Sequence, residues 1–195
     1  MASLPAYGHL YPMLPLALAC RAAGHDVVVA VGEPFHERLP LPTRLGFSRG
    51  LTISDLEQEV FTNHQEILAT PDGRLAFPKA LFGESAPKRV VPVLLDLFDR
   101  EPPDLVVHEV TNIGAAVAAD LTGVRSIAFG LGLWFTLTRE WYDTAIAGHA
   151  YRWHMREREP GPLGELPGGY LDPMPPSMRN PGPLPRRQLP IRSVA

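Results

Sequence analysis

The stretch LPLALACRAAGHDVVVAV, residues 14–31, decides the fold. Its first ten residues are good helix formers. Prolines stand only at the start (Pro12 and Pro15), where a missing N–H leaves no helical bond unmade, and Gly24 marks the C-terminal stop. After the Gly24-His25 turn, Asp26 to Val31 is a continuous β-branched run, the pattern of a strand covered on both faces of a parallel sheet. A helix feeding such a strand is half of a βαβ unit.

The same alternation recurs outward from this stretch. Ser54-Asp-Leu-Glu57 has capping-box spacing and predicts a helix through about Ala69, Thr70-Pro-Asp-Gly73 a turn, and Ser85 to Phe98 a second amphipathic helix. Asp104 to Glu109 predicts another buried strand, Ile113 to Leu121 a helix stopped by Gly123, Ser126 to Phe129 a third strand, and about Thr138 to Arg158 a closing helix. The expected class is α/β, a Rossmann-like parallel sheet sandwiched by helices. Only Met1 to Leu4 precede the turn-forming Pro5, so the first strand, central in such sheets, is shortened; a truncated or misassigned start is the expectation.

Composition bounds the function. A chain of 195 residues, 45% hydrophobic and 20% charged, can bury a core without staples, and the single Cys20 excludes an internal disulfide framework, so a reducing cytoplasm is expected. A net charge of -3 gives no overall basic balance for nucleic acid or an anionic membrane. No targeting segment is visible, and no apolar stretch approaches the roughly 20 residues of a membrane span. Ten of the 22 prolines fall between Pro160 and Pro190, which divides the chain into a body, 1–159, and a proline-rich segment, 160–195.

Open parallel sheets bind ligands at the carboxyl ends of their strands. Gly8-His9, His108-Glu109 and Gly130-Leu-Gly132 followed by Trp134-Phe135 stand there, so an imidazole, a carboxylate and an aromatic wall converge on one crevice. His9 with an acidic partner suits general-base work; the bland alternative is a loop histidine bonded to backbone. Glu109 is equally readable as a solvated strand-end carboxylate or an arginine's partner. His108 alternates to the other face of the strand, which favours a structural role. Gly8, Tyr11, Gly130, Trp134 and Phe135 are the candidate substrate-binding residues. His149 and His154 are five apart and share no helical face, so no metal site is expected. Gly8 belongs to no dinucleotide or P-loop pattern.

Residues 5–19 (PAYGHLYPMLPLALA) and 21–30 (RAAGHDVVVA) resemble the opening of the N-terminal, acceptor-binding domain of GT-B glycosyltransferases, in particular the bacterial enzymes that glycosylate natural products. PDLVVHE (103–109) and GYLDPMPPS (169–177) are similar to later blocks of that domain, so the resemblance spans nearly the whole chain. It implies that His9 is the general base and that Glu109, one methylene longer than the family's usual aspartate, orients it. It further implies inverting transfer without a metal or cofactor, from a nucleotide-diphosphate sugar to a hydrophobic small-molecule acceptor. The donor is expected to sit mainly on a second domain beyond residue 195, leaving this chain incomplete or inactive alone. Three alternatives follow: a half that works with a donor domain in trans, a non-catalytic helper partnering a complete transferase, or a degenerate product.

Overall fold

The computed structural model describes residues 1–32, 35–45, 52–70, 73–132, 169–179 and 187–192. The helix expected at 138–158 and the residues Trp134 and Phe135 lie outside these.

Six named strands, β1 (Val29–Val31), β2 (Thr43–Leu45), β3 (Leu105–Glu109), β4 (Arg125–Phe129), β5 (Tyr170–Asp172) and β6 (Gln188–Pro190), pair in parallel throughout. The first segment joins the two groups they form. Ala2 bridges Ala30 on one side and His108 on the other, both in parallel. Ala2 N–H donates to Val107 O at 2.8 Å, Ser3 N–H to Ala30 O at 3.1 Å, and Glu109 N–H to Ala2 O at 3.2 Å. The order is therefore β2-β1-(Met1–Ser3)-β3-β4-β5-β6, a doubly wound sheet whose direction of growth reverses at its first, central segment. That segment is short, as the four residues before Pro5 imply.

β1 covers only Val29–Val31 and not the whole run from Asp26; its pairing with β2 begins at Val29 with Thr43. The Met1 nitrogen bonds Val28 O at 2.6 Å, and the ladder goes no further back. Between the amino ends of the flanking strands lies a cavity of about 560 Å³, lined by Asp26, Val28, Asp104 and Val106 among others, at the opposite end of the sheet from His9.

Alternate residues bury the two faces of the sheet. Ala30 and Val106 pack with Leu56 and Val60 of α3 (Ile53–Asn63), Val90 and Leu94 of α6 (Ala86–Arg100), and Ala115 and Ala118 of α7 (Ile113–Leu121). Val29 and Val31 pack on the other face with Ala17 of α2 (Leu14–Ala22). Helices α6 and α7 cross closely at Gly114, where a Cβ would stand 2.9 Å from Val90 Cβ.

Several boundaries differ from those read in the sequence. The N-cap of α3 is Thr52, whose hydroxyl accepts from Asp55 N–H while the Asp55 carboxylate accepts from Thr52 N–H; a capping box thus forms two residues before Ser54. The helical region breaks at His64 into α3 and α4 (Gln65–Leu68), and the expected turn closes with Gly73 N–H on Thr70 O at 2.9 Å. Helix α5 (Gly73–Ala80) runs into a π-helical turn, Leu81–Ser85, before α6 begins. β5 and β6 come from the proline-rich segment, and Pro190 is tolerated because β6 pairs only with β5 in the described sheet, leaving its other side without a ladder bond to lose.

Candidate active site

The point where strand order reverses is where open α/β sheets bind ligands. Here it is flanked by the first segment and β3. After Leu4 the chain turns at Pro5-Ala6 into α1 (Tyr7–Leu10), with His9 N–H on Ala6 O at 3.0 Å, and passes through the 3-10 turn Tyr11–Met13 into α2. The prolines at the first positions of these turns remove donors that have no helical acceptor. Across the reversal point β3 ends at Glu109, and Val110-Thr111 leads to Asn112, whose side chain caps α7 by accepting from Ala115 N–H at 3.3 Å.

These two turns bring His9 and Glu109 together. Glu109 Oε1 lies 3.1 Å from His9 Nδ1, with the glutamate side chain fully buried and the imidazole 21% exposed. Oε1 makes no aligned hydrogen bond among the described residues, so this approach is a charge contact. The other oxygen, Oε2, is held from β3's own turn: Thr111 N–H donates to it at 2.6 Å and Thr111 Oγ1 at 2.7 Å. Thr111 Oγ1 is also 3.1 Å from His9 Nδ1. The extra methylene of glutamate is accommodated, since the carboxylate reaches the imidazole and the threonine at once.

The electrostatics follow from this packing. Burial opposes a charge on His9, but the adjacent Glu109 carboxylate outweighs it, and the imidazole's pKa is raised above its ordinary value. Burial likewise opposes the Glu109 charge, yet His9 and the two Thr111 donors hold its pKa below the ordinary one. Glu109 is thus an ionised, buried partner of His9, not the solvated carboxylate that the strand end allowed. His108 behaves differently. It is buried on the other face of β3, its Nδ1 is 3.0 Å from Glu109 O, and burial pushes its pKa down.

The remaining candidates are placed less directly. Gly8 is exposed, with open space where a Cβ would be. Tyr11 is 46% exposed and meets Tyr7 edge to face at 5.1 Å; Tyr7 in turn meets Phe35 at 4.9 Å and accepts a hydrogen bond from Arg38. Gly130 is buried beneath Tyr170, whose hydroxyl would stand 2.1 Å from an added Cβ, so its glycine is explained by packing. Two neighbours of His9 were not singled out from sequence. One is Thr111, whose signal was a hydroxyl residue in the Glu-Val-Thr-Asn turn. The other is Phe82, carried by the π-helical turn, with its ring centroid 6.1 Å from that of His9. Among the described residues no group of three or more His, Cys, Asp or Glu could hold a metal ion.

No family model matches the chain. Comparison with solved structures is informative. Streptomyces sp. SF2575 glycosyltransferase SsfS6, complexed with thymidine diphosphate, superposes with a TM-score of 0.74 at 23% identity, over 99% of this chain and 52% of that one. The fold is that of half a GT-B glycosyltransferase. Spinosyn rhamnosyltransferase SpnG, complexed with spinosyn aglycone, matches the same GT-B half with a TM-score of 0.62 at 21% identity, over 92% of this chain and 46% of that one. In sequence, the GT-B half is 33% identical to L-demethylnoviosyl transferase of Streptomyces niveus over 136 residues, 68% of this chain and 34% of the relative. It spans about half the length of the solved neighbours and aligns with about a third of the curated relative.

Proposed function

We propose that this GT-B half binds the acceptor in a glycosyltransferase and supplies its general base. The observation that carries the reading is a buried Glu109 carboxylate set 3.1 Å from His9 Nδ1 at the reversal point of the sheet. In the reaction, the ring nitrogen of His9 that does not face Glu109 removes the proton of an acceptor hydroxyl. The acceptor oxygen bonds to the anomeric carbon of the sugar, and the bond from that carbon to the diphosphate oxygen breaks with inversion. The nucleoside diphosphate departs with the electron pair. Glu109 remains ionised and stabilises the imidazolium, a charge-assisted contact in a water-poor site.

Exposed rings of Tyr7 and Tyr11, with Phe82 beside His9, suit a hydrophobic acceptor. We assign the nucleotide-diphosphate sugar mainly to a second half, on the same polypeptide or another, because a diphosphate needs fixed donors and none converge near His9 among the described residues. Two neighbours carry the two kinds of ligand, thymidine diphosphate in SsfS6 and spinosyn aglycone in SpnG, which supports a nucleotide donor and an aglycone acceptor as the substrate classes. A cytoplasmic location accords with the single free cysteine. No helix among the described residues is long and apolar enough to cross a membrane.

Titration calorimetry of the chain tests the division of labour. Hydroxylated apolar aglycones are expected to bind and thymidine diphosphate to bind far more weakly. Diphosphate binding with no aglycone binding would contradict the assignment.

A further inference from the structure

We propose that Thr111 is a positioning residue that fixes the tautomer of His9, so that Nδ1 carries the ring proton and Nε2 is left as the basic nitrogen. The argument is a count of protons. Glu109 Oε2 accepts from Thr111 N–H at 2.6 Å and from Thr111 Oγ1–H at 2.7 Å, and an ionised carboxylate can only accept. The single hydroxyl proton of Thr111 is therefore spent on Oε2. Toward His9 Nδ1, 3.1 Å away, the same oxygen has only a lone pair to offer, and Glu109 Oε1 at 3.1 Å has only lone pairs too. Two acceptors facing Nδ1 admit a protonated Nδ1 and disfavour a bare one. Nε2 has no partner among the described residues and is free to take a proton from a substrate.

Glu109 alone does not accomplish this. Its Oε1 approaches Nδ1 without an aligned hydrogen bond, and its carboxylate is held in place by the two Thr111 donors. The hydroxyl of Thr111 thus supplies the acceptor toward the imidazole and one of the two holds on the carboxylate that sits behind it.

This inference rests on reading His9 as the base, and its test uses a different readout from transfer. Nitrogen chemical shifts of the His9 ring, measured in the full chain above its titration, report the ratio of the Nδ1–H to the Nε2–H form. The wild type is expected to be mainly Nδ1–H. Thr111→Val and Thr111→Ala are each expected to lower the ratio by roughly three- to tenfold, the worth of one net hydrogen bond. Thr111→Ser, which restores the hydroxyl, is expected to keep the wild-type ratio. Amide spectra of the variants report folding. A wild type that is mainly Nε2–H overturns the proposal without any variant. An unchanged ratio in the folded alanine or valine variant overturns it as well, as does a serine variant shifted as far as valine. Transfer that survives His9→Ala would instead defeat the reading of His9 as base and leave the tautomer result standing.

Discussion

Glu109 holds its carboxylate 3.1 Å from the Nδ1 of His9, although one residue ends β3 and the other sits in a four-residue helix after the first segment. The carboxylate is wholly buried and the imidazole mostly so. Two opposed charges in such a place sustain each other, and removing either leaves the other desolvated without compensation.

Glu109→Gln tests that dependence. With the countercharge gone and burial still in place, the His9 pKa is expected to fall from above its ordinary value of 6.5 to below it. Proton NMR titration of the ring checks this, and an unmoved pKa would show that the carboxylate does not govern the imidazole.

Stability should follow pH with a defined window. His9 has a raised folded-state pKa, so its contribution is complete below the unfolded value of 6.5 and is lost as pH rises through the folded pKa. Glu109 has a lowered one, so its contribution is complete above the unfolded value of 4.5 and is lost as pH falls through the folded pKa. The Tm difference between wild type and His9→Ala is therefore expected to be largest between 4.5 and 6.5 and to shrink on either side. A difference that stays the same as pH is taken well below 4.5 and well above 6.5 would refute the coupling.

Gly130→Ala is expected to destabilise the fold by about 1–3 kcal/mol, because the new Cβ overpacks a filled site against the Tyr170 ring. The Cβ would stand 2.1 Å from the hydroxyl and 2.7 Å from Cζ. Adding Tyr170→Phe removes the nearer clash and should return part of the loss in chemical denaturation. Gly130→Ala as stable as wild type would mean that Tyr170 can move, and the packing explanation of this glycine would fail.

Much of the frame was legible because some elements carry their own boundaries. α2, α7 and β3 each have a glycine or proline close to at least one end and a mostly apolar run beside it, so local chemistry goes far to define them. β1 is shorter than its β-branched run, because residue type alone does not mark where the ladder bonds stop. Thr52 and Ser54 both precede acidic residues at capping distance, and only the direction of chain entry chooses between them. β5 and β6 are three residues each in a proline-rich setting and offer no periodicity to read. At the site, His9 and Glu109 were nameable as chemical types, but the burial of Glu109 depends on register between segments distant in sequence. Thr111 acquires its meaning only from that register.

The most direct test of the account is sugar transfer by this chain joined to a donor-binding half of a related glycosyltransferase, with and without His9→Ala. Transfer is expected in the joined protein and should fall by about 10²–10⁴-fold in the variant, the usual worth of a positioned general base. Its rate should also decline as pH drops through the raised His9 pKa. Undiminished transfer by folded His9→Ala protein would contradict the central claim.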